Sequence, residues 1–191
     1  MTICGMSTEV FLEKIEAFHG WKAPGVILGG FMVDWAKEQM DPSVEADAIV
    51  ETRHCLPDAV QLLTPCTIGN GWLKILDWDK YALSLYDRRE LSGVRVWVDA
   101  KKTVEFPDLH DWIMKLRPKK ELPLEVVTRS ILAAGRSTLS SRRIRVIDHY
   151  KRVKKSTIRV CPRCGEAFSS DREPLCFPCR EHSYCESFVQ R

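Results

Sequence analysis

The sequence predicts an α+β domain, helices packed on an antiparallel sheet, with a small cysteine-bearing unit behind it. Three observations carry that reading. Apolar residues recur at helical spacing near the start of the chain and again beyond residue 107. Strand-like runs cluster between them. Short connectors join those runs, so a meander is expected rather than strands alternating with helices. The chain has 191 residues, 45% of them hydrophobic and 17 of them Phe, Trp or Tyr, enough to build a core and too apolar for a disordered segment.

Taken in order, Ser7 or Thr8 can cap a first helix whose Val10, Phe11, Ile15 and Phe18 share one face. Residues 19–25 carry too much Gly and Pro to continue it. The helical pattern resumes from Val26 to Met40 with Gly29-Gly30 inside, which implies that another backbone packs closely there. Ala48-Ile49-Val50 reads as a short buried strand, and Pro57 to Leu63 as a helix with proline in its first turn. Trp72–Trp78, Tyr81–Tyr86 and Val94–Val98 are three strands of the expected meander. Helices are expected at Pro107–Leu116, Pro123–Ala134 and from about Thr138 to Val153.

The charge is unevenly placed. The whole chain carries +3, yet Lys115 to Arg163 holds fifteen Lys or Arg against Glu121, Glu125 and Asp148, leaving −9 for the rest. Such asymmetry suits a polyanion or an acidic protein surface, or else a set of well-solvated basic helices. The longest nearly apolar run, Ala23 to Val33, is far shorter than the roughly 20 residues a membrane span needs. With no secretory pattern at the start, a soluble cytoplasmic protein is expected. Phosphate-loop, HExxH and GxSxG patterns are absent from the sequence.

Four of the eight cysteines form two pairs, Cys161-Pro-Arg-Cys164 and Cys176-Phe-Pro-Cys179, eleven residues apart. Two CxxC turns at this spacing supply the four thiolates of a tetrahedral zinc site, and Gly165 permits the turn after Cys164. The segment is too short to bury a core, so metal would supply most of its folding free energy. Helix-compatible residues after Cys179 place the second pair at a helix N-terminus, which predicts a treble-clef-like zinc finger. The domains are therefore expected at 1–156 and 157–191. His182 and Cys185 are read as ordinary residues of the final helix.

A second constellation runs through the core: Phe18-His19-Gly20, Pro24-Gly25, Val50-Glu51-Thr52, Cys55, Asp58-Ala59, Gln61, Cys66-Thr67, Gly69, Gly71 and Tyr86-Asp87-Arg88. In residue type and order it resembles the FmdE/FwdE family, the E-type component of molybdenum- or tungsten-containing formylmethanofuran dehydrogenase, over roughly residues 8–150. The resemblance implies an accessory protein related to methanogenesis, the oxidation chemistry belonging to a separate metallopterin subunit, and some members carry an added finger. It also implies a core metal site. His19, Cys55 and Cys66 are its candidate ligands for a second transition metal, with Asp58 orienting His19 or ligating in its own right. The chain departs from the family pattern where Trp21 and Ala23 replace a His and a Cys, Asn70 a Lys, and Phe31 an Arg. Read without the family, His19 caps a loop and both cysteines fill the core.

The expected function is thus a metal-binding accessory or interaction protein, with other oxidoreductase subunits as partners. A small metalloenzyme or metal carrier using His19, Cys55 and Cys66 is the rival, and nucleic-acid binding through the finger and basic segment a third reading. A homodimer is expected too, because Trp72, Ile75, Leu76, Trp78, Leu83, Leu85 and Tyr86 put apolar residues on both faces of the meander. Folding back of the segment Pro123 to Val153 is the alternative cover.

Overall fold

The structure, a computed structural model, describes residues 2–147 and 157–181. It divides into two compact units, Met1–Tyr150 and Lys151–Arg191. The first opens with a tiny hairpin, β1 (Thr2–Ile3) and β2 (Met6–Ser7), and continues through α1 (Thr8–His19), α2 (Pro24–Glu38), β3 (Ala46–Val50) and α3 (Leu56–Leu63). Then come β4 (Leu73–Ile75), β5 (Ala82–Asp87), β6 (Ser92–Val98), α4 (Ala100–Thr103), α5 (Pro107–Met114), α6 (Leu124–Ala134) and β7 (Leu139–Arg145). The α+β class is the one the sequence predicts.

Local chemistry explains the helix ends. The Ser7 side chain accepts the Val10 amide at 3.4 Å, and Gly20, at φ +93°, closes α1 in the left-handed conformation that favours glycine. Proline in its first turn starts α2, two residues earlier than the periodicity suggests. From Pro24 to Asp34 every residue of α2 is buried, because the helix runs through the centre of the domain and is apolar almost all round. It packs on β5 and β6 and touches α1, α3 and α6.

Gly29 and Gly30 make that possible, the Ala59, Leu56 and Phe11 side chains and, at Gly29, the Leu56 Cα occupying the space a side chain would take. A Cβ on Gly29 would lie 2.6 Å from Cβ of Ala59 in α3, and one on Gly30 would enter the Phe11 ring of α1. Gly29→Ala is therefore expected to destabilise the domain by about 1–2 kcal/mol, overpacking outweighing the roughly 1 kcal/mol of helix propensity gained. The check is a lower urea midpoint at unchanged slope.

The sheet order is β4-β3-β5-β6-β7. This corrects the simple meander. The strand read at Trp72–Trp78 does not pair with the next one; it shortens to β4 and lies parallel to β3, Ala48 opposite Leu73, so that β3, α3 and β4 form a crossover unit. All other pairs in this sheet are antiparallel. The helix expected from Thr138 to Val153 is also corrected. Residues 139–145 form β7 at the sheet edge, paired with β6 from Val98–Leu139 to Ser92–Arg145; the rest of that span, from residue 148, lies outside the described residues.

One face of the sheet carries Ala48, Val50, Leu83, Leu85, Val94 and Val96 into the main core with α2, and α6 adds Val127 and Ile131. The opposite face is not bare, contrary to the premise of the dimer argument. Ile49, Tyr86, Leu91 and Val146 form a small buried cluster there. Beside it lies a buried ion pair: Nε and Nη2 of Arg95 donate to the two Glu51 carboxylate oxygens at 2.6 and 2.7 Å, and Arg95 also lies 5.2 Å from the Trp97 ring centre. Among the described residues no helix is long and apolar enough to cross a membrane.

Candidate metal centre

The second unit is built around the cysteine pairs. A hairpin of β8 (Ile158–Val160) and β9 (Ala167–Ser169) turns at Cys161–Gly165. Gly165, at φ +76°, donates its amide to the Cys161 carbonyl at 2.8 Å, and the Cys161 amide donates to Glu166 at 2.9 Å, forming the tight knuckle expected of CxxC-Gly. Cys176 then caps α7 (Phe177–Arg180), which carries Cys179 one turn on. Arg163 of the knuckle donates to the Cys179 carbonyl and so ties the hairpin to the helix.

These elements bring the Sγ atoms of Cys161, Cys164, Cys176 and Cys179 within 4.8 Å of one another. The Cys164–Cys176 sulfurs are 3.7 Å apart, far beyond a disulfide and close to the roughly 3.8 Å edge of a ZnS₄ tetrahedron with 2.3 Å bonds. Backbone amides of Cys176 and Cys164 donating to the Cys161 sulfur bring its thiol down to about 6. Hydrogen bonding with the Cys176 sulfur, then burial, pushes Cys179 up to about 12. Thiolates held this close repel one another, a repulsion that a divalent cation relieves. His182 and Cys185 lie outside the described residues.

The core candidates are placed differently. His19 ends α1, and its Nδ1 lies 2.6 Å from Oδ2 of Asp58 in the first turn of α3, as an orienting carboxylate requires. Cys55 immediately precedes α3 at φ +50°, centred in a tight turn where the Leu56 amide reaches the His54 carbonyl. Such left-handed backbone is costly for a residue with a side chain. Beside it, half-buried Tyr81 donates its hydroxyl to the Gly25 carbonyl at the start of α2. Burial and then the Asp58 carboxylate push the Cys55 thiol up, and burial, then Cys55 and Asp58, hold the Tyr81 hydroxyl well above its usual range. Periodicity gives no sign of Tyr81; only its place just before β5, facing the helix start, brings it here.

Cys66 does not join this group. Its thiol donates to the Ala46 carbonyl at 3.3 Å, at the opening of β3, with Asp47 and Arg88 as its charged neighbours. Cys55 lies past the other end of that strand, and four residues of strand rise span about 13 Å. Among the described residues, the four-cysteine cluster is the only set of three or more His, Cys, Asp or Glu whose ligand atoms come close enough to share an ion. His19, Cys55 and Cys66 are not brought together in such a set among the described residues. The replacements reinforce this: Trp21 stands 45% exposed with its ring 5.8 Å from that of His19, Ala23 caps α2, and Phe31 is buried in the core. Asn70 organises its own turn, accepting the amides of Thr67 and Trp72 and donating to Pro65.

An α+β domain of this topology, followed by a separate four-cysteine finger, places the molecule among two-unit proteins with a metal-finger appendage. The chain belongs to the FmdE family, described as "Molybdenum formylmethanofuran dehydrogenase operon", whose model matches residues 18–147. It is similar to the crystal structure of a tungsten formylmethanofuran dehydrogenase FmdE-like protein from Syntrophus aciditrophicus, at 41% identity and TM-score 0.86, over 97% of this chain and 98% of that one. It is also 39% identical over 105 residues to a probable S-adenosyl-L-methionine-binding protein of Archaeoglobus fulgidus. That match takes in 50% of this chain and 28% of the relative's length.

Proposed function

We propose that the chain is an accessory protein of the FmdE type, in which Cys161, Cys164, Cys176 and Cys179 hold one structural zinc ion. The observation that carries this reading is the convergence of four sulfurs within 4.8 Å of one another, two of them 3.7 Å apart, in a hairpin-and-helix unit with almost no apolar core among its described residues. All four positions are filled by thiolates, a closed set that suits structure rather than catalysis. Other oxidoreductase subunits are the natural partners of such a protein.

The cluster of His19, Asp58, Cys55 and Tyr81 is assigned to ligand recognition instead of a resident metal: the His19–Asp58 pair fixes one imidazole nitrogen, and the exposed Trp21 stands beside the His19 ring. This replaces the shared-ion role for His19, Cys55 and Cys66. Self-association stays within the proposal, supported by Phe18 and Trp21, both about half exposed beside His19. Elemental analysis of untagged protein tests the metal assignment. One zinc per chain is expected, lost on Cys164→Ser; a second equivalent that survives Cys164→Ser and departs with His19→Ala would restore a core metal site. A metal-free protein with a protected finger would overturn the zinc assignment.

A further inference from the structure

β7 is an edge strand, and the ladder shows which of its backbone groups face outward. The Asp99 amide donates to the Thr138 carbonyl and the Val146 amide to Leu91, so the even-numbered residues 140, 142 and 144 bond to β6. Ser141, Arg143 and Arg145 then point their N–H and C=O groups away from the sheet, and none of these groups has a partner among the described residues. At one end the edge is closed, Lys102 Nζ donating to the Leu139 carbonyl at 2.7 Å. The open stretch of five residues is about 17 Å long.

The same stretch carries three arginines, all exposed. Arg143 and Arg145 lie on the helix-covered face, and Arg142 on the other, 6.0 Å from the Trp97 ring centre. Elsewhere in this unit Arg88, Arg95, Arg117 and Arg136 each pair with carboxylates. Among the described residues no carboxylate pairs with Arg142, Arg143 or Arg145. Charges on an edge often serve only to keep strands off it. Here they disfavour a second copy, since two β7 strands paired with arginines opposite one another would bring like charges within about 5 Å. An acidic strand meets the opposite condition: free amides and carbonyls along its length, and guanidinium groups on both of its faces able to grip carboxylates through paired hydrogen bonds.

We propose that the Ser141–Arg145 edge is a docking site for an extended, acidic segment of another polypeptide, which adds to the sheet beyond β7. The test uses the full zinc-loaded chain and a fluorescent peptide of about eight residues alternating Glu with Val or Thr, a length matched to an ordinary strand. Fluorescence anisotropy should show saturable binding that weakens about tenfold or more in Arg143→Glu/Arg145→Glu, given the strength of charge-assisted hydrogen bonds. N-methylation of every second peptide residue should abolish binding in one phase and spare it in the other, because only one set of amides faces β7. Two results overturn the proposal: no binding, which leaves the arginines as guards of the edge, or binding indifferent to N-methylation and matched by an oligonucleotide of equal charge, which makes the patch a general polyanion site. Neither result touches the zinc assignment, which the metal count decides separately.

Discussion

Cys164→Ser is expected to unfold residues 157–181 while leaving the cooperative melt of the first unit unmoved. Within the described finger only Cys161 and Cys176 are buried, and Ile158, Val160 and Phe177 are all more than half exposed. Apolar burial therefore contributes little there, and a structural zinc site is worth about 10–16 kcal/mol of folding free energy at neutral pH. Serine at position 164 removes one thiolate and with it most of that term. The readout is limited trypsin digestion followed by mass spectrometry, since Arg159, Arg163, Arg172 and Arg180 supply cleavage sites throughout the unit. Rapid cleavage at these arginines, in the variant and in chelated wild type alike, is the expected result. Continued protection after complete zinc removal would show that the finger stands on contacts other than its metal.

The second large effect lies in the first unit. Glu51→Ala leaves Arg95 without its carboxylate in a site where only 17% of its side chain is exposed. Breaking a buried pair from one side costs roughly 3–5 kcal/mol. In a unit of this size that lowers the thermal midpoint by about 10 °C, at 2–4 °C per kcal/mol. Arg95→Ala should cost a similar amount, now by stranding Glu51. Glu51→Leu/Arg95→Met should recover much of the loss, because apolar packing can replace a buried pair when both charges leave together. A double variant no better than the singles would mean that the pair itself, and not the orphaned charge, sets the stability. The pair formed by Arg136 and the exposed Glu38 is the contrast, where removal of Glu38 should change little.

What the sequence reveals follows from how local each signal is. The finger is legible because its ligands lie on two short turns whose spacing determines where the sulfurs go. The helices α1 and α3 are legible because a cap, a proline and an apolar stripe fall within a dozen residues of one another. β7 is not, because an edge strand is buried on so little of its surface that Leu139-Ser-Ser-Arg-Arg-Ile-Arg145 shows no clear alternation; its seven-residue pairing with β6 decides its state. The parallel placement of β4 depends on where α3 returns the chain, which no local pattern records. The separation of Cys55 from Cys66 is hidden for the same reason: the two are near in sequence, yet they flank the two ends of β3. The His19–Asp58 contact, by contrast, is legible from the resemblance to known motifs.

The glycine contacts of α2 also bear on the order in which the chain folds. α1 and α2 close on one another across a short loop and α3 joins them with only β3 between, whereas β7 reaches β6 only after the excursion through α4, α5 and α6. Loop closure is cheaper for the helical trio, so a nucleus built at Gly29 and Gly30 precedes the final strand. The cost of Gly29→Ala should then appear mainly in the folding arm of a chevron plot, with the unfolding arm almost unchanged.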